Sequence, residues 1–423
     1  MFRPLRFLDL VAPAWLATAC FAQDTLRERI NHALTEARPA LLAHLQAATD
    51  PSNRPGELAL ILLAAVHDGV DPAEPRFAKA VARMAKANPN ETYDLALRLM
   101  VMEAMPAFPN RLELAKEDAK ELLRHRHKSG CFGYDDNPGG YDLSNTQYAA
   151  LGLRAARAIG VKVERIVWSK LVEELMEQQD SYGGFNYGRG DSGFNAYPSM
   201  TVAGIAVLAI CRQELEIDGK APKSIDGRID RGWGWMARNV TAIGSPKERW
   251  SFYFHYGLER AAILCDIEKV GTTDWYEAGA RMLVDMQDDG GGWMSTQDGH
   301  PGGHLGNGRG DLVPTAFAVL FLRRKFQKVT GVVTPHVVRL VNLGPNSRPS
   351  DVDACAAELV RRGKPALVEV FQALRSEHEP VRRAAAVALV GIAGERFGYD
   401  PAKAAADNRD AITRAELWYL KNR

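Results

Sequence analysis

Apolar positions in this chain fall into two alternating kinds of helix. One kind is apolar nearly all round, with a small-then-aliphatic step at its middle: Leu151-Gly152-Leu153, Ala203-Gly204-Ile205 and Tyr256-Gly257-Leu258, whose glycines lie 52 and 53 residues apart. Related steps stand at Leu95-Ala96-Leu97 and at Ala316-Phe317-Ala318, where Phe takes the glycine's place. The other kind is amphipathic. Trp168, Leu171, Val172, Leu175, Met176 and Gln179 recur at helical spacing with Lys170, Glu173, Glu174 and Glu177 off the stripe, and Trp275, Gly279, Met282, Leu283 and Met286 repeat it. A helix apolar on every side must be buried on every side, whereas an amphipathic one can face water. The pattern therefore predicts inner and outer helices in two concentric layers, repeating about every fifty residues.

The outer helices end on a shared signature, Q-x3-G-G-aromatic, at Gln179 to Phe185 and Gln287 to Trp293. Glycines there stop the helix, and the Gln amide can bond backbone groups freed at the turn. Phe132-Gly133-Tyr134, Phe185-Asn186-Tyr187 and Trp233-Gly234-Trp235 add an aromatic-x-aromatic step, read as glue between repeats rather than a ligand-stacking wall. Inner helices show start signals: Ser144 to Gln147 as an S-x-x-Q capping box, Ser199 as a cap, Pro314 in a first turn. Two loops, Gly188 to Asp191 and Gly308 to Asp311, share Gly-Arg-Gly-Asp, read as a repeated turn.

The pattern stops near Lys325. Residues 326–352 read as a linker and 353–423 as a short helical segment, with Leu359, Leu367, Val370 and Leu374 on one face and Glu379 to Leu389 similar to half of a HEAT repeat. At the other end, Arg3 and Arg6 precede an apolar run from Leu10 to Ala22 that ends in small residues at signal-peptidase spacing. Residues 1–22 are therefore expected to be an export signal, with a lipoprotein site at Cys20 as the lesser alternative. The segment from Thr25 to Ala48 is expected to be helical and to close the ring, broken or kinked at Pro39. The repeat domain then spans 24–325.

Basic and acidic residues number 53 and 52, a net charge of +1, which argues against a nucleic-acid partner held by a broad basic field. No later stretch has eighteen uninterrupted apolar residues, so no transmembrane segment is expected in the mature chain. Five cysteines are too few for a disulfide scaffold, and Cys211 and Cys265 read as core.

The Q-x3-G-G-aromatic ends resemble the QW repeats of squalene and oxidosqualene cyclases. Asp142 to Gln147, Ser199 to Gly204 and Phe252 to Arg260 resemble exported bacterial prenyltransferase and squalene-oxidase repeat proteins, over roughly residues 55 to 325. The resemblance implies an all-α fold: an α/α toroid of about five to six helix-pair repeats, followed here by the HEAT-like helices. It does not carry either active site over. The cyclases' acid lies in D-x-D-D, and the nearest match, Asp351-Val352-Asp353-Ala354, lacks the last Asp and falls outside the ring. The prenyltransferases' zinc needs Asp-x-Cys and a His. Asp353-Ala354-Cys355 has the spacing but lies outside the ring, and Tyr253 takes the His position although His255 is near. No metal and no cofactor are expected, and the sequence leaves open whether the chain catalyses.

In such a toroid the inner-helix starts and the loops before them surround one mouth of a central cavity. Candidates there for catalysis are Asp135, Asp136, Asp142, His255, Glu259 and Asp311; for ligand binding, Tyr134, Tyr141, Asn145, Asp191, Asn195 and Tyr197. Asp135 and Asp136 are paired carboxylates able to share a proton or hold a cation, in a stretch that is also strong turn chemistry. His255 and Glu259 share a helix face as an acid–base pair or a buried bridge. His300 and His304 sit in a glycine-rich loop with weak metal spacing. Two functions follow: an apolar, isoprenoid-like small molecule bound or transformed in the cavity, or a non-catalytic exported module that binds a protein partner. An axis filled by side chains would count against the first.

Overall fold

A computed structural model describes residues 14–137, 140–188, 195–217, 221–248, 250–295, 310–323, 343 and 349–422. The chain divides into two compact units, residues 1–331 and 332–423.

The first unit contains helices α1 (Ala14–Ala48), α2 (Pro55–Asp68), α3 (Pro75–Lys86), α4 (Thr92–Ala104), α5 (Arg111–Arg124), α6 (Leu143–Ile159), α7 (Arg165–Gln178), α8 (Pro198–Ile217), α9 (Ser224–Arg238), α10 (Ser251–Cys265), α11 (Trp275–Met286) and α12 (Leu312–Leu322). A two-residue hairpin, Lys269–Val270 with Thr273–Asp274, precedes α11. Even-numbered helices pack in sequence, α2 on α4, α4 on α6, α6 on α8, α8 on α10 and α10 on α12, and α12 returns to α2. That closed cycle is the inner layer of an α/α toroid. The odd-numbered helices lie outside it: α3 on α2, α5 on α4 and α6, α7 and α9 on α8, and α11 on α12.

Burial follows the two sequence patterns. Every residue of α6 from Leu143 to Ala156 is buried, whereas α7 buries only Val167, Trp168, Leu171, Val172, Glu174 and Leu175. The three repeat glycines lie on successive inner helices but do different work. A Cβ on Gly152 would come within 2.7 Å of the Ala96 backbone on α4, while one on Gly204 would meet the Phe185 ring at 2.6 Å.

Each Q-x3-G-G-aromatic turn joins three elements. Gln179 Nε2 donates to Gly183 O (3.0 Å) and to Arg228 O on α9 (2.9 Å). Gln287 Nε2 likewise donates to Gly291 O (2.9 Å) and to Ala33 O on α1 (2.8 Å). Gly183 and Gly291 have φ of 97° and 82°, and a Cβ on either would overlap a carbonyl of the next outer helix, Arg231 O or Glu36 O. Inward, the N–H groups of Phe132, Phe185 and Trp293 donate to Thr146, Thr201 and Thr315 Oγ1 at 3.0–3.1 Å. The Phe132, Phe185 and Trp293 rings are buried, as the glue reading requires, but that reading fails for the second ring of two steps: Tyr134 is exposed, and Tyr134 and Tyr187 line a cavity. Trp233-Gly234-Trp235 differs, lying within α9 rather than in a turn.

Helix α1 closes the ring, packing on α2, α3, α11 and α12. It runs through Pro39 without a break, a correction to the sequence expectation. An ion triad fastens the closure: Asp68, at the end of α2, takes Arg323 from the end of α12 (Nε, 2.8 Å) and Arg38 from α1 (2.6 Å).

Two start signals are also corrected. The N-cap of α6 is Asp142, not Ser144; its carboxylate accepts from Asn145 N–H at 2.8 Å and from Ser144 Oγ at 2.6 Å. Helix α8 begins at Pro198, which puts Ser199 inside the first turn. In α8 a proline at the first position supplies the φ and removes one orphan donor, and in α6 the Asp142 carboxylate takes the cap from Ser144.

The second unit contains α13 (Pro349–Arg362), α14 (Leu367–Ala373), α15 (Glu379–Ala393) and α16 (Arg409–Lys421). Helix α15 packs on α13 and α14. Leu359, Leu367, Val370 and Leu374 are buried in its own apolar core. Helix α13 starts inside the stretch read as linker. Most of the remaining linker, and most of the stretch read as an export signal, lie outside the described residues. No described helix is long and apolar enough to cross a membrane.

Candidate functional site

The six inner helices all start at the same end of the ring, and a cavity of about 550 Å³ opens there. Its lining repeats at i, i+3 or i+4 along five of the six helices, α8 giving only Ser199 and Met200, so it has two tiers. The upper tier holds Gly56 and Glu57 of α2, Tyr93 and Asp94 of α4, Ser144 of α6, Ser199 of α8, Trp250 before α10, and Val313 of α12. One turn deeper are Leu60, Leu97, Tyr148, Tyr253 and Phe317. Tyr134, Tyr187 and Tyr197, from the loops after the outer helices, complete the rim with Arg54 and Glu91.

Aromatic rings form a continuous wall. Tyr93 contacts Tyr148 with centroids 4.3 Å apart; Tyr148 stacks near Tyr253 at 6.3 Å; Tyr253 meets Phe317 edge-on at 6.4 Å. Tyr134 and Tyr187 share a hydrogen bond of 3.0 Å between their hydroxyls, and Tyr253 donates to Gln147 Oε1 at 2.8 Å. Burial raises the Tyr93, Tyr148, Tyr187 and Tyr253 phenols above their ordinary range, so the wall stays neutral at any physiological pH.

The carboxylates gather on one side, between α2 and α4. Asp94 is buried and accepts a hydrogen bond from the Gly56 backbone N–H. Burial raises its carboxyl to about 6; Glu91 and Glu57 push the same way, against Arg54 and the Gly56 bond. Glu57 is also raised by burial. Arg54 is ion-paired with Glu91 at the rim. Asp94 thus carries a proton over part of the physiological range and can donate or accept a hydrogen bond in the cavity.

Of the sequence candidates, Tyr134 and Tyr197 line this cavity and the other described ones do not. Asp135 and Asp136 are exposed: Asp135 accepts from Asn137 N–H at 2.9 Å, and Asp136 pairs with Arg124 at 2.8 Å, so the turn reading describes them. Asp142 and the buried Asn145 are tied to each other (2.7 Å) as part of the α6 cap. Tyr141 OH donates to Glu174 at 2.6 Å on the outer layer. Asp311 precedes α12 and accepts from Ser295 N–H at 3.0 Å, and Asn195 is exposed. Asp191, His300 and His304 lie outside the described residues.

His255 faces the layer boundary rather than the cavity, against Gly279 and Phe321. Nδ1–H donates to Ser251 O (2.8 Å) and Nε2 accepts from Gly244 N–H (2.9 Å). Burial pushes the imidazole down to about 4. With both nitrogens committed, His255 is a neutral brace that holds the turn after α9. Glu259, four residues on, is buried 3.7 Å from Arg260, whose guanidinium lies 4.4 Å from the Tyr256 ring centroid.

Sequence reasoning passed over Glu57, Tyr93, Asp94, Tyr148 and Trp250, and read Tyr187 as glue between repeats where it lines the cavity. Tyr93 and Asp94 hold the same first-turn positions in α4 as Ser144 and Asn145 in α6, a match that the helix starts show and the spacing to the Leu95-Ala96-Leu97 step does not. No group of three or more metal-binding side chains clusters among the described residues.

No family model matches this sequence, and no curated protein does. Among solved structures the chain is similar to the type II terpene cyclase MstE from Scytonema. The apo enzyme is 12% identical with a TM-score of 0.44. A variant in complex with its product, merosterolic acid A, is 13% identical with a TM-score of 0.43. Each match covers 70% of this chain and 98% of the cyclase.

Proposed function

We propose that this chain is a small-molecule-binding toroid whose axial cavity encloses an apolar, isoprenoid-like ligand, with Asp94 as its polar anchor. The observation that carries this reading is the open axis. Side chains do not fill the ring at the inner-helix starts, and the space left, about 550 Å³, falls in the range of roughly 300–1,000 Å³ typical of sites that enclose an organic ligand. Aromatic and aliphatic walls reward burial of apolar surface. A carboxyl that titrates near neutrality can bond either a donor or an acceptor on the ligand. The N-terminal sequence supports an exported chain, and the α13 to α16 packing supports a HEAT-like pair of helices.

The test is thermal unfolding of the full chain with farnesol, squalene and unrelated peptides. A ligand present at a hundred times its Kd stabilises by about 2.7 kcal/mol, easily seen as a rise in Tm. Farnesol or squalene should raise Tm in the parent and not in Leu97→Trp, which fills the lower tier. Stabilisation by peptides alone, or an equal shift in Leu97→Trp, would overturn the reading.

A further inference from the structure

Resting on that cavity, we propose that its ligand is an amphiphile with a cationic head, an organic ammonium, seated in the upper tier with its apolar chain in the lower.

The sign of the charge comes first. Arg54 is the only Lys or Arg among the described lining residues, and it is already paired with Glu91. Glu57 and Asp94 remain on the same side of the cavity. A phosphate, diphosphate or carboxylate entering here would face two further carboxyl groups, with no second guanidinium or ammonium among the described lining residues to receive it. No cluster of metal-binding side chains among the described residues offers a bridging cation. An anionic head is therefore repelled, and the choice lies between neutral and positive.

The aromatic wall favours the positive. Tyr93, Trp250 and Ser144 share the upper tier with Asp94, and the Tyr148 and Tyr253 rings lie just below. A cation over an aromatic face is attracted by the ring's quadrupole, more strongly when desolvated, and quaternary ammonium ligands are commonly held in such cages. A neutral alcohol gains none of this. The carboxyls complete the argument. Among the described residues Arg54, at the rim and paired with Glu91, is the cation that acts on the buried Asp94, and a bound ammonium would add counter-charge inside the cavity. The two tiers fix the direction: both carboxyls, Glu57 and Asp94, lie in the upper tier, whereas the lower tier is Leu60, Leu97, Phe317 and two neutral tyrosines, so the chain goes in first.

The test is calorimetric titration of the full chain with four ten-carbon ligands below their micelle concentrations: decyltrimethylammonium, decanol, decanoate and decyl phosphate. The ammonium is expected to bind at least tenfold more tightly than decanol, and both anions more weakly than decanol. In the double variant Glu57→Gln, Asp94→Asn the ammonium-to-alcohol ratio should fall to near one. Trp250→Leu, which removes a ring and no charge, should lower that ratio several-fold, giving an independent arm should the double variant not fold. Decanol or either anion binding as tightly as the ammonium would overturn the inference while leaving the apolar cavity standing. Failure of all four to bind would overturn both.

Discussion

Asp94 of α4 occupies the place where a side chain on Gly56 of α2 would go. A Cβ added to Gly56 would overlap Asp94 Oδ1 and lie 3.2 Å from its Cγ. Arg54, the N-cap of α2, makes no side-chain cap bond, so Asp94 takes the Gly56 N–H and caps α2 from the neighbouring inner helix. This one contact binds two helices and aims a carboxyl at the cavity.

Gly56→Ala should therefore displace Asp94. The lost cap and the crowding are expected to cost about 1–3 kcal/mol in urea unfolding. The Asp94 titration, followed by NMR of its carboxyl carbon, should move as the Gly56 bond is lost. An unchanged titration with unchanged stability would show that the glycine is not needed.

Asp94 also sets a pH dependence. Its carboxyl titrates near 6 in the folded chain against 3.8 ordinarily. Between those values the folded state holds a proton that the unfolded state has lost, so stability falls as pH rises from about 4 to 6. Above that window the deficit is about 3 kcal/mol at 1.36 kcal/mol per unit. Asp94→Asn should remove this slope and raise stability at pH 7 by about 1–3 kcal/mol, while weakening ligand binding. Arg54, Glu57 and Glu91 stay in place to be tested in turn.

His255 slopes the opposite way. Its folded value near 4 lies below the ordinary 6.5, so the unfolded chain takes up a proton first on acidification. Stability contributed by the neutral ring is complete above about 6.5 and is lost as pH falls toward 4, again about 3 kcal/mol. Between pH 4 and 6 this contribution opposes that of Asp94. His255→Phe should lose about 1–3 kcal/mol at pH 7 by stranding the Gly244 N–H, and should make stability fall more steeply with rising pH than in the parent. Unfolding curves collected across this range check both.

The closure of the ring should be sensitive at Asp68. Asp68→Asn leaves Arg323 and Arg38 without their common carboxylate. The expected loss is about 2–3 kcal/mol, below the roughly 3–5 kcal/mol of a fully buried pair because Arg38 is partly exposed. Hydrogen exchange should speed up first at the ends of α2 and α12.

The outer layer closes through the Gln287 turn. Gln287→Ala removes two hydrogen bonds and should cost about 1–3 kcal/mol. Gly291→Ala should cost more, since the left-handed backbone alone adds about 1–2 kcal/mol and the methyl meets Glu36 O. Thermal unfolding of both variants, with Gly291→Ala the lower, checks the ordering.

The sequence by itself determined the layers. The contrast between the all-round apolar Leu143 to Ala156 and the striped Val167 to Leu175 says which helix lies inside, and burial obeys that contrast because apolar surface must be covered wherever it faces. The two Q-x3-G-G-aromatic turns were equally legible, since an amide spaced to reach a glycine carbonyl is a local matter. What only the tertiary structure decided was the site. Asp94 and Gly56 lie on different helices, Tyr253 finds its partner Gln147 across the ring, and His255 is turned away from the axis by a bond to the next turn. None of these relations has a local sequence sign, because each depends on how far one inner helix is rotated about its own axis against its neighbours. That rotation is set by packing between helices, so a candidate such as Asp142 near the right mouth becomes a cap while Asp94, unremarked in the chain, lines the cavity.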